Sequence, residues 1–210
     1  MVTDKIRIDS AGNGIREIMD EAEKYAGYTG LEKKDAMQLR LMCEETTEML
    51  RHLAGEFTGC AWLEFDENRE TNIHLEVKTD MDKEKREKLI NVSSDKKNTF
   101  SRGIMGKIRE VVELFMMDED AKDKLTDYDF LQMGHEIETS GAVVGQATDY
   151  ELWSLSQYKS TVDVGRNESD KYGEAWDELE KSIIANIADD IRIGIRDRQV
   201  VVIVSKKFQR

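Results

Sequence analysis

The chain has 210 residues, 31 Lys and Arg against 44 Asp and Glu, no proline and two cysteines, for a formal net charge of −13. That length fits one domain with a full core, without need of disulfides or structural metal. The acidic balance argues against general nucleic-acid binding, no run is apolar enough to span a membrane, and Cys43 and Cys60 lack metal-ligand spacing.

Residues 5–9 alternate and predict a strand. Ser10 or Asn13 then offers a cap for a helix whose apolar positions are Ile15, Ile18, Met19, Ala22, Tyr25 and Ala26, broken by Gly27 and Gly30. A longer helix is predicted over 33–54, with Ala36, Leu39, Met42, Cys43, Met49, Leu50 and Leu53 inward and Gly55 stopping it. Two strands follow, over 60–65 and 72–77, joined by a polar hairpin. Further helices are expected over 82–91 and from Gly103 to about 116. Segments 142–146 and 149–158 read as strands, 163–170 as a polar linker and 174–187 as an amphipathic helix. That helix would turn Trp176, Leu179, Ile183, Ile184 and Ile187 inward. Residues 200–204 are the most β-prone run and read as a buried strand. Trp62, Trp153, Trp176 and Cys43 read as core.

Charge is concentrated. Between 118 and 190 there are 19 acidic and 6 basic residues, so the remainder, with 25 of each, is neutral. An acidic insertion over 118–170 is therefore expected within a single domain spanning 1–210. Its surface is the natural place for a basic partner. Residues 82–109 hold nine bases and four acids, a local excess that suits an anion-binding loop.

Three features could carry chemistry. Glu44, Glu48 and His52 stand i, i+4, i+8 along the second helix, as either a solvated row or a cation-holding one. Asp80 and Asp82 follow the strand ending near Val77, as helix caps or as acceptors in a cleft. Gly103-Ile104-Met105-Gly106-Lys107 opens a helix, where free N–H groups and a lysine attract phosphate. His74 and His135 have no partner in sequence that makes a triad or a metal site.

In order, these pieces resemble the GHKL (Bergerat-fold) ATPase domain, closest to its histidine-kinase-like, anti-sigma-factor serine kinase type. The residues that carry the resemblance are Glu44-Glu45-Thr46-Thr47-Glu48-Met49-Leu50-Arg51-His52 on the long helix, Asp80 after the strand pair, Gly103 to Ile108, and the closing strand from Val200. It covers about residues 4–117 and 196–208. The resemblance implies a two-layer α/β sandwich, with a mixed, mostly antiparallel sheet and helices on one face. It also implies Mg-ATP as cofactor, a regulatory protein partner, pairing as a homodimer, and ATPase or protein serine/threonine kinase activity. Glu44 would orient or deprotonate the attacking group, Glu48 would hold Mg²⁺ and Asp80 would accept from adenine. Gly103, Gly106 and Lys107 would cradle the phosphates. The family has asparagine where this chain has Glu48, a glycine pattern after the aspartate where this chain has Met81-Asp82-Lys83-Glu84, and Gly-x-Gly where this chain has Gly-x-x-Gly. Those departures frame an alternative: a degenerate member without nucleotide, serving as a protein-interaction module. A cytoplasmic location without nucleic acid or membrane is expected, since residues 1–5 lack the apolar core of a secretory signal.

Overall fold

The computed structural model describes residues 1–66, 70–79, 151–165, 170–196 and 199–208. The expectations for 82–91, 103–116 and 142–146, and the residues Asp80, Asp82, Gly103, Gly106, Lys107 and His135, lie outside them.

Strand β1 (Ile6–Asp9) leads into α1 (Ile15–Thr29) and α2 (Lys33–Ala54). The hairpin strands β2 (Phe57–Phe65) and β3 (Glu70–Thr79) follow. After the undescribed stretch come β4 (Glu151–Ser154), α3 (Leu155–Gly165), α4 (Asp170–Lys181) and α5 (Ile183–Ile187), then β5 (Asp190–Arg196) and β6 (Gln199–Lys207). Six strands form one sheet in the order β1-β2-β3-β6-β5-β4. Every pairing among the described strands is antiparallel, where a mixed sheet was expected. The last strand lies near the centre: Ile73 stands opposite both Leu63 and Val204, and Leu75 opposite both Ala61 and Val202.

The period of two in each strand sorts residues onto two faces. Ala61, Leu63, Ile73, Leu75, Val77, Val200, Val202, Val204, Ile191 and Ile193 are all buried and share one face. They join Ile18, Ala22 and Tyr25 of α1, Leu39, Met42, Cys43 and Leu50 of α2, and Leu155, Tyr158 and Val162 of α3 in one core. The described elements form a two-layer α+β sandwich with their helices on one side of the sheet. Two buried threonines in α2 satisfy themselves locally: Thr46 Oγ1 donates to the Met42 carbonyl at 2.5 Å and Thr47 Oγ1 to the Glu44 carbonyl at 2.8 Å.

Several boundaries differ from the sequence reading. Gly27 does not break α1, which runs on to Thr29 and ends at Gly30 in the left-handed region. Neither Ser10 nor Asn13 caps α1. The N-cap is Gly14, with φ +77°, and an added Cβ would lie 1.8 Å from the Arg7 carbonyl oxygen. Only glycine fits that approach. Asn13 instead turns back on Asp9, whose carboxylate accepts from the Asn13 backbone and side chain.

The strand expected over 149–158 stops at Ser154, where α3 begins. The cause is a cap from far along the chain. Asp190 Oδ1 accepts from Ser156 N at 2.9 Å and from Ser154 Oγ at 3.0 Å, satisfying a free N–H of the first helical turn. The linker expected over 163–170 is shortened, since α3 continues to Gly165 and α4 starts at Asp170. The helix expected over 174–187 is two helices, because Ser182 adopts an extended backbone and caps α5 through Ala185 N. That break turns Ile183 outward, 51% exposed, and puts Ile184 and Ala185 inside. β5 was not anticipated.

Candidate functional site

The long helix α2 presents two opposite surfaces. Leu39, Met42, Cys43, Met49 and Leu50 face the sheet and are buried. Glu44 and Glu48, one turn apart, are exposed to solvent. Glu48 Oε2 lies 3.3 Å from Arg51 Nη1, an i, i+3 pair on the same helix. Glu45, between the two, is half-buried. Burial, and then the charges of Glu44 and Glu48, push its carboxyl pKa up. The described residues contain no group of three or more His, Cys, Asp or Glu placed to hold a metal ion. Glu48 is thus an accessible carboxylate with a cationic neighbour, and any Mg²⁺ there would draw its remaining ligands from substrate phosphate and water.

The β3 strand ends at Thr79, which pairs with Phe57. Only Gly55 and Glu56 separate Phe57 from α2, so β3 finishes at the end of the sheet where α2 terminates. Asp80 is the next residue in sequence. The structure therefore brings the end of the α2 carboxylate helix and the exit of β3 to one end of the sandwich. Gly103, Gly106 and Lys107 cannot be placed against them.

No family model, curated protein or solved structure matches this chain. Among the described residues no helix is long and apolar enough to cross a membrane.

A second cluster lies on the sheet face opposite the described helices. Trp62 is not in the core. It stands opposite His74 in the β2–β3 ladder, and the two rings stack with centroids 4.9 Å apart and planes within 2°. Lys5 Nζ sits 4.0 Å over the Trp62 ring. His74 Nε2 is buried, makes no hydrogen bond of good geometry, and lies 3.1 Å from Glu64 Oε2. Around this centre, Glu76 Oε2 lies 3.8 Å from Lys5 Nζ and also accepts from Gln199 Nε2. Ser205 Oγ donates to Asn72 Oδ1 at 2.6 Å, and Arg192 Nη2 reaches Ser205 Oγ at 3.5 Å. The signal was present in the sequence: Glu70, Asn72, His74, Glu76 and Lys78 are the polar half of a strict alternation. Reading each tryptophan as core hid it.

Cys43 and Cys60 are both free thiols. Cys43 is fully buried and its pKa is pushed up to about 12 by burial, so it stays a neutral, unreactive core group.

Proposed function

We propose that this chain is an ATP-binding regulatory protein of the GHKL type, acting on a protein partner. The observation that carries the reading is the placement of Glu44 and Glu48. Both turn away from the core along α2, and β3 stops at Thr79, the residue before Asp80 in sequence, at the end of the sheet where α2 terminates. In this reading Glu44 orients or deprotonates the attacking hydroxyl or water, and Glu48 holds Mg²⁺. Asp80 accepts from the adenine amino group, and Gly103, Gly106 and Lys107 cradle the phosphates. Mg²⁺ would neutralise phosphate charge; the chain itself would supply position and orientation.

Thermal unfolding with Mg-ATP or Mg-ADP tests it. A nucleotide at about a hundred times its dissociation constant should stabilise by about 2.7 kcal/mol. No shift at millimolar nucleotide removes the proposal. Glu48→Asn, which restores the family's residue, should keep or improve that shift.

A second reading rests on the Glu48–Arg51 pair. The position that would hold the metal already has a cation from its own helix. That favours a degenerate member whose exposed α2 face and acidic insertion dock a partner without nucleotide. In that case neither nucleotide nor Glu48→Asn changes the unfolding temperature.

A further inference from the structure

The sheet face opposite the described helices holds a half-buried imidazole that no element of the proposed nucleotide site uses. His74 lies on β3, near the middle of the sheet, with only 15% of its side chain exposed. Trp62 on β2 stacks against it, and β2 is flanked by β1 on one side and β3 on the other. Lys5, just before β1, and His74 therefore approach the indole from opposite sides. The charged groups facing His74 are Glu64 from β2, Lys5 beside β1 and Arg192 from β5. Glu76 on β3 itself faces Lys5, and the β6 residue in register with His74 is the uncharged Ile203. The described helices pack on the other side of the sheet.

In the neutral state, Trp62 has one cation, Lys5, and Nε2 of His74 has no hydrogen bond although a carboxylate oxygen lies 3.1 Å away. Adding a proton changes both relations. The imidazolium gains an anionic partner already in place, and a second cation is set against an indole that already carries one. Glu76, at 3.8 Å, already shares Lys5 with Trp62 and can keep it when the contact with the indole weakens.

We propose that His74 is a proton-operated switch: its imidazolium takes Glu64 as ion-pair partner and weakens the hold of Lys5 on Trp62, leaving Lys5 to Glu76. Lys5, together with the hydrogen bonds that Thr3 exchanges with Leu63, fastens the start of β1, a four-residue strand at the edge of the described sheet, to β2. The switch therefore links protonation near the sheet centre to the hold on its edge. The coupling is reciprocal, because a charge that opposes protonation is opposed by it. Burial, Lys5 and Arg192 lower the His74 pKa, and Glu64 raises it, with burial the largest cause.

The test is a proton NMR pH titration of the full chain, which has three histidines, with His74 assigned by loss of its signal in His74→Gln. The His74 midpoint should fall below the ordinary 6.5. Lys5→Met should raise it and Glu64→Gln should lower it. The Lys5 side-chain resonances should shift with the same midpoint in the wild type and lose that transition in His74→Gln. Midpoints unmoved by either variant, a Lys5 signal indifferent to His74, or an imidazole that stays neutral until the protein unfolds would each overturn the proposal. Nucleotide binding has no part in this readout.

Discussion

The two faces of the sheet are built from the same strands and hold opposite kinds of chemistry. On the helical face, Leu63, Ile73, Leu75, Val202 and Val204 are buried against α1 and α2, and their contribution is removal of apolar surface from water. On the opposite face, Trp62 stacks on His74, Glu64 lies beside His74, Gln199 donates to Glu76, and Ser205 links Asn72 with Arg192 across the strands. The contrast teaches that here burial supplies the stability, and charge is kept where protons and solvent can reach it.

The largest effect that sharpens this contrast is expected at Leu75. Leu75→Ala should cost about 2–5 kcal/mol in denaturant unfolding, because the site is fully buried between β2 and β6. On the opposite face, Trp62→Ala should cost less, about 1–2 kcal/mol, the worth of one ring stack and one cation–π contact. Equal losses would break the comparison. Tyr25→Phe should cost about 0.5–1.5 kcal/mol, since it deletes a long 3.4 Å hydrogen bond and leaves the buried Thr71 hydroxyl without that donor.

Protonation offers a finer test. The folded state lowers the His74 pKa, so the unfolded chain takes up the proton first. Stability from this group is unaffected above the ordinary value of 6.5 and is lost as pH falls below it. Unfolding midpoints measured down through that range should drop in the wild type and drop less in His74→Gln. Glu45 has the opposite sign. Its raised pKa means that the folded state prefers the protonated acid, so its ionised form opposes folding at neutral pH. Glu45→Gln should raise the unfolding temperature slightly at pH 7 and leave it unchanged in acid, the smallest of these effects.

Local pattern made much of the fold legible. The α2 helix runs over the residues its apolar stripe marks and stops at Gly55. Strands β1, β2, β3 and β6 lie over the alternating or β-branched runs, each extended or trimmed by a few residues. β5 was readable and was passed over: Asp190-Ile191-Arg192-Ile193-Gly194-Ile195-Arg196 alternates as clearly as any other strand. Of the candidate site, the exposure of Glu44 and Glu48 follows from helical periodicity alone. Trp62 was misplaced because a large aromatic is a poor guide to which face of a half-buried strand it occupies.

The sequence by itself determined the elements whose causes lie within a few residues: stripes of period 3.6, alternation of period two, and glycine stops. Only the tertiary structure decided where elements end when the cause is distant, as where Asp190 caps α3 across 34 positions of sequence. It alone also decided which strands meet. β6 pairs with β3 across more than a hundred residues, and the cluster of Lys5, Trp62, Glu64 and His74 exists only because antiparallel register sets them side by side. Such contacts depend on the packing of the whole chain, and no local window of residues contains them.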